Sequence, residues 1–371
     1  MARRPVSAAL PATRMAVMDL GSNSFHLLIA DVEGSTLTPV FREREMLHLE
    51  EVVTRHGRVP DEAVETAVAV VERFADHVHR HGVERCLAIA TSALRDTRDP
   101  EAVLARLSDA AGTAVQVLDG DSEANHAYLG ARASIAIGEE PVLVLDLGGG
   151  SLELAVGTGP EVAEAMSVPI GVGRLRARVD HDPPRRREVR RIVSEVRTHL
   201  EPLQARIDHA GPRTTVALGG TVRALARVVA SATDTWVPTT INHLEVTTAD
   251  LRRVRDDLVA ADVEERGRIP GVQQRRADHL HVAAIALAEI LEVLGFDRFV
   301  VSDWGLREGL LLAAHGVAPP VGPELRAAEV TRLRRAFGVD AAALRTIGRS
   351  LALRRHHEHA AYLLENAELR G

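Results

Sequence analysis

The stretch DLGGGSLEL, Asp146 to Leu154, interrupts an apolar run with three consecutive glycines and a serine before the apolar pattern resumes around an acid, Glu153. A partial echo lies upstream in DLGSNSFHL, Asp19 to Leu27, again after an apolar run, MAVM. Glycine is needed where backbone takes a positive φ or approaches another group with no Cβ between. A chain that uses the strand, turn and strand device twice, each time followed by helices alternating with strands, is constrained toward two α/β halves with a cleft between them. Turns of this kind aim several N–H groups one way and form anion nests, and two facing nests suit a chain of phosphates. The same letters are also compatible with a plain tight turn at Gly148, Gly149 and Gly150 and an Asn-containing hairpin at Gly21, Ser22, Asn23 and Ser24.

The surrounding pattern supports two halves. MAVMDLG and FHLLIADVEG read as strands joined by GSNS, with TLTPVFRER extending the meander. DEAVETAVAVVERFADHVHRHG reads as an amphipathic helix with an acidic start and a glycine just past its end. CLAIATSAL reads as a buried strand ending in Thr91 and Ser92, DPEAVLARLSDAAG as a helix, VQVLDG as a strand and SEANHAYLGARASI as a helix. The pattern restarts with PVLVLDLGGG and SLELAVG, a hairpin-like pair, and continues through a basic helix to the buried strand TTVALGG. TVRALARVVA then opens a helix directly after Gly219 and Gly220, so the N–H groups there and at Thr221 form a natural phosphate site. The halves divide near Gly130 to Glu140; after Gly316, VAPPVGPE reads as a linker to a helical remainder.

Composition narrows the chemistry. The 371 residues are 46% hydrophobic, enough for two cores and an appendage. No window approaches a membrane span and the N-terminus lacks an apolar leader, so a cytoplasmic protein with no membrane contact is expected. A single cysteine, Cys86, agrees with a reducing compartment. A net charge of -7 and 3% aromatic residues argue against a nucleic-acid partner. All 45 basic residues are arginine, which excludes a Walker-type lysine, a Schiff base and a lysine general base.

Asp146 ends an apolar strand, where an unpaired carboxylate is costly. With Glu153 on the return strand, the pair could hold magnesium (Mg2+) through oxygen ligands or waters. Ser22, Asn23 and Ser24 add side-chain donors to their loop, and Arg95, beside Thr91 and Ser92, offers a planar fork for phosphate. Glu123 falls in the first turn of a helix, where capping alone accounts for an acid. His26 alternates with apolar residues and reads as structural. PPRRREVRR, Pro183 to Arg191, reads as a solvated helix start or as an arginine track for a long polyanion. His356, His357 and His359 cluster without a placed carboxylate.

DLGSNSFHLLIADV, ATSALRD, the GDSEA helix start, VLDLGGGSLELAVG, ALGGTVRAL and VSDWGLREGLLL, in this order over residues 15–315, resemble the exopolyphosphatase and guanosine pentaphosphate phosphohydrolase family of the actin, sugar kinase and Hsp70 superfamily. The resemblance implies an α/β fold with two RNase H-like, actin-like ATPase domains flanking a cleft, over residues 1–132 and 133–316. It implies that residues 317–371 form a short helical appendage, a truncated and noncatalytic remnant of a longer HD-like domain. It further implies an Mg2+-dependent phosphoanhydride hydrolase, an expected homodimer, acting on inorganic polyphosphate or guanosine pentaphosphate (pppGpp). Glu123 matches the general base, and Asp146 and Glu153 match the acids associated with Mg2+ and water placement. Gly148, Gly149, Gly150 and Ser151 match one phosphate loop, Gly21 to Ser24 the opposing one, Gly219 to Thr221 a third, and Arg95 a phosphate contact. Two departures stand out: Ser122 replaces a frequent second glutamate, and Ala283 stands where glycine is common. A nucleotide-binding regulatory module without turnover, which the superfamily also contains, is the reading of another class.

Overall fold

A computed structural model of the chain describes residues 12–135, 140–233 and 241–316. Segment 317–371, with its expected HD-like remnant and histidine cluster, lies outside the described residues. The first half contains β1 (Thr13–Leu20), β2 (Ser24–Glu33), β3 (Thr36–Met46), α1 (Leu49–His56), α2 (Asp61–Arg80), β4 (Arg85–Ala90), α3 (Ser92–Arg95), α4 (Pro100–Ala111), β5 (Val115–Val117) and α5 (Gly120–Ser134). The second contains β6 (Val142–Leu147), β7 (Leu152–Thr158), β8 (Glu161–Val168), α6 (Val172–Arg176), α7 (Arg186–Ala210), β9 (Thr214–Leu218), α8 (Gly220–Thr233), β10 (Glu245–Thr247), α9 (Thr248–Ala260), α10 (Val263–Arg268), α11 (Leu280–Val293), β11 (Arg298–Val301) and α12 (Leu306–His315).

The duplication is visible in the strand order. One sheet runs β3-β2-β1-β4-β5 and the other β8-β7-β6-β9-β11, with β10 added at its edge. In both, the first three strands form an antiparallel meander and the later ones join in parallel, apart from the antiparallel edge strand β10. β1 and β6 are therefore equivalent central strands, and the parallel pairing buries both their faces. Their near-continuous apolar runs, MAVM and VLVL, follow from that position.

Where the sequence suggests that the strand CLAIATSAL continues to Thr91 and Ser92, β4 stops at Ala90 and a single helical turn follows. The side chain of Ser22 causes the turn: its Oγ accepts from the N–H of Ala93 at 2.9 Å and lies 2.6 Å from Ser92 Oγ. LEEVVTRH, which carries no strong cap, forms α1 between a left-handed His48 and Gly57. α11 is apolar apart from His281, Glu289 and Glu292, and packs between α7 and α9. Ala283 sits fully buried in this core.

Two helices are exchanged between the halves. α5, which ends the first half in chain order, lies on the second sheet, packing Ala124, Ala127, Tyr128 and Ala131 against Val142, Val144 and Ala155. α12, which ends the described chain, returns to the first sheet and packs Leu310, Leu311 and Leu312 against Met15, Val17, Leu28 and Ile89. The two cross with their backbones in contact: a Cβ on Gly130 would lie 1.9 Å from the carbonyl oxygen of Gly305, and one on Gly309 equally close to that of His126. Gly130→Ala is therefore expected to lower the unfolding free energy by about 1–3 kcal/mol through backbone displacement at this crossing, read from denaturant midpoints; an unchanged midpoint would show that the helices part easily.

Candidate active site

The carboxyl ends of β1 and β6 open into one cleft of about 1010 Å3 between the two sheets. Its walls include Gly21, Ser22, Asn23 and Ser24 from the β1–β2 turn, Gly148 to Ser151 from the β6–β7 turn, and Gly219, Gly220 and Thr221 at the start of α8. The three loops read from the sequence are thus brought together. The opposing turns touch: a Cβ on Gly149 would lie 2.6 Å from Asn23 Cγ. Gly219 takes φ of +100°, a value that side chains resist, and presents the first N–H groups of α8 to the cleft.

Asp19, Glu123, Asp146, Glu153 and Glu308 also line the cleft. Asp146 and Glu153 are directly opposed in the β6–β7 ladder, an arrangement that like charges disfavour. In the first sheet the equivalent position pairs Asp19 with His26. Glu123 and Glu153 are each only 5% exposed. Asp19 and Asp146 keep some surface toward the cleft, yet its depth desolvates them and pushes each up to about 6. Burial first, and then the charge of Glu153, hold the carboxyl of Glu123 well above its ordinary range. Glu153 is raised by burial and by Asp146, while Ser151 and Ser167 hydrogen bonds oppose the rise.

Counter-charge arrives from both sides. Arg95 Nη1 donates to Glu123 Oε1 and to the carbonyl of Leu118, both at 2.7 Å. Arg95 therefore stands behind Glu123 and lines an adjoining cavity of about 590 Å3, with Arg174 and Ser167, instead of the main cleft. Ser167 Oγ donates to Glu153 Oε1 at 3.0 Å from that same side. Asp146 is stabilised by Arg223 and Arg307, and Asp19 by Arg307. Arg44 and Arg276 also face the cleft, and among the described residues neither forms a salt bridge. Arg276 is buried and pushed down to about 10 by desolvation and then by Arg44, Arg223 and Arg275. Burial, and then Arg307, Arg44, Arg223 and Arg276, push His26 well below the ordinary imidazole range, with its Nε2 2.8 Å from Ser24 Oγ.

Among the described residues no three His, Cys, Asp or Glu side chains converge as a ready-made ion cage. That donor set still fits Mg2+, which is commonly held by one or two carboxylates together with waters and substrate phosphate oxygens. The opposed pair Asp146 and Glu153 supplies such carboxylates, and a cation between them would offset their repulsion.

Sequence reasoning misses Asp19, Arg44, Arg223, Arg276 and Arg307. Asp19 precedes its Leu-Gly as Asp146 does, and Arg223 and Arg307 lie inside ALGGTVRAL and GLREG, so motif position could have found them. Arg44, on β3, and Arg276, in the turn before α11, have no local signal.

Five acids, three loops rich in backbone N–H groups and a bank of arginines meet in one cleft, an arrangement suited to a phosphorylated ligand. The family model described as the Ppx/GppA phosphatase family matches residues 28–316. Exopolyphosphatase 1 of Mycobacterium tuberculosis is 31% identical over 302 residues, covering 81% of this chain and 87% of the relative. The Ppx/GppA enzyme of Aquifex aeolicus superposes with a TM-score of 0.69 at 31% identity, over 82% of this chain and 100% of the other. An exopolyphosphatase from Cytophaga hutchinsonii gives 0.75 at 28% identity, over 82% and 99%. The chain belongs to the Ppx/GppA phosphatase family.

Because Arg95 lowers the pKa of Glu123 against burial and Glu153, Arg95→Gln is expected to move the titration of Glu123 to higher pH. The carboxyl signal in 13C NMR, or the acid limb of a pH–rate profile, reads this; an unmoved titration would mean that the pair has no electrostatic weight.

Proposed function

We propose that the chain is an Mg2+-dependent exopolyphosphatase, releasing orthophosphate from the end of inorganic polyphosphate. The observation that carries the reading is the charge gradient of the cleft. Glu123 and Glu153 feel Arg95 behind them, Asp146 feels Arg223 and Arg307, and these arginines merge with Arg44 and Arg276. A terminal phosphate at the carboxylate end leaves its anionic chain among guanidinium groups.

In this reading Glu123 takes a proton from a water as the water oxygen bonds to the terminal phosphorus. The bridging P–O bond breaks on the opposite side, and the shortened chain leaves with the electron pair. Asp146 orients the water. The N–H groups of the loops at Gly21–Ser24, Gly148–Ser151 and Gly219–Thr221 stabilise charge on the equatorial oxygens. Asp146 and Glu153 would hold Mg2+, which when bound neutralises phosphate charge. Arg95 positions Glu123 and limits its basicity shift.

Guanosine pentaphosphate presents the same kind of bond. Among the described residues that line the cleft none is Phe, Tyr or Trp, so a guanine finds no such stacking platform among them, which favours polyphosphate. The defining assay is phosphate release from polyphosphates of set length, guanosine pentaphosphate and ATP. Glu123→Gln is expected to lower kcat by about 10²–10⁴-fold with an unchanged melting temperature; near wild-type turnover would sink the assignment. No release from any substrate by the wild-type protein would favour a binding module. EDTA is expected to abolish release and Mg2+ to restore it, with Asp146→Asn needing more Mg2+ for half-maximal rate; full activity in EDTA would remove the metal from the scheme.

A further inference from the structure

The chain carries a net charge of -7, and many of its arginines are tied to acids. Arg73 bridges Glu43 and Glu45, Arg197 pairs with Glu289, and Arg206 with Glu164. A second group is left over outside the cleft. Arg185, Arg186, Arg187, Arg190 and Arg191 are all exposed at the beginning of α7, and among the described residues none has a carboxylate partner. The one acid within the run, Glu188, is buried and spent: it accepts from the N–H groups of Asp180 and Arg185 and from His181.

Stability does not explain this placement. Cations at the start of a helix oppose its dipole, and Arg186 with Arg190, and Arg187 with Arg191, stack like charges four residues apart. The group is also fixed relative to the cleft. Arg176 Nε donates to the carbonyl of Asp278, whose neighbour His279 lines the cleft, and Arg176 Nη1 donates to the carbonyl of Val179. The intervening Asp182 is pinned by Arg266 and by the N–H of Val263. The strip from Arg176 to Arg185 spans at most about 30 Å even if extended, so the arginines stay within the reach of one long polyphosphate chain from the residues that flank the cleft.

We infer that this arginine shelf is a second contact for the substrate, gripping phosphates of a long polyphosphate chain far from the bond being cut. The inference rests on the polyphosphate reading above. Guanidinium forks bind phosphate oxygens in pairs, and a second grip on one chain raises the effective concentration of its end at the cleft. In this proposal a substrate of two or three phosphates, with its end in the cleft, makes no contact with the shelf.

The test combines Arg186→Ser, Arg187→Ser, Arg190→Ser and Arg191→Ser in the full chain. It compares tripolyphosphate with polyphosphate of several hundred units at low and high salt. The expected result is a rise of about tenfold in KM for the long chain at low salt, with a flatter salt dependence. Tripolyphosphate kinetics should stay within about twofold and the melting temperature should not fall, since the dipole conflict is relieved. An unchanged long-chain KM, or an equal loss on both substrates, would overturn the shelf. So would lost binding of a single-stranded RNA with long-chain constants unaltered. Direct titration of the long chain decides the shelf without turnover, whereas a wild-type protein that releases phosphate from neither chain overturns the functional reading instead.

Discussion

Carboxylates held side by side away from bulk water are the arrangement on which this molecule turns. Two unit charges about 4 Å apart repel by about 4 kcal/mol at an effective dielectric near 20, and here Asp146 opposes Glu153 in a single ladder step while Glu123 lies near enough to feel Glu153. The surrounding structure distributes compensation. Arg95 and Ser167 grip two of the acids from behind, Arg223 and Arg307 face a third, and the apolar strands β1 and β6 fix where the acids emerge. What remains uncompensated at the other end of the cleft is positive, so the two sheets enclose a gradient and not a uniform field.

Much of this was legible in the letters, and what was legible is local. The strand, glycine turn and strand units specify both meanders because their periodicity and their turn lie within nine residues of one another. Glu123 is harder: from spacing alone it serves as well for a helix cap. In the folded chain Asp119 takes the capping duty, its Oδ1 accepting from the N–H of Ser122 at 2.7 Å, and Glu123 is left free to face the cleft. Nothing local marks Arg44 or Arg276, because the cleft acquires them from a strand and a turn more than two hundred residues apart. The one-turn helix after β4 was equally hidden, since its cause is a serine seventy-one residues earlier, in the turn after the neighbouring strand β1.

Restriction to arginine shapes the site as much as the fold does. A guanidinium retains its charge when buried, as Arg276 does even at about 10, and it can brace two acceptors at once, as Arg95 does between Glu123 and Leu118. A lysine in the buried position of Arg276 would lose its charge more readily.

The exchange of α5 and α12 divides the acids between the two sheets. Glu123 rides on a helix that packs on the second sheet, so it travels with Asp146 and Glu153, whereas Arg95 and Asp19 travel with the first. Any swing of one sheet away from the other would keep the spacing of the three acids and pull Glu123 off Arg95. Proton affinity at Glu123 would thereby follow the separation of the two sheets, rising if Arg95 were drawn away.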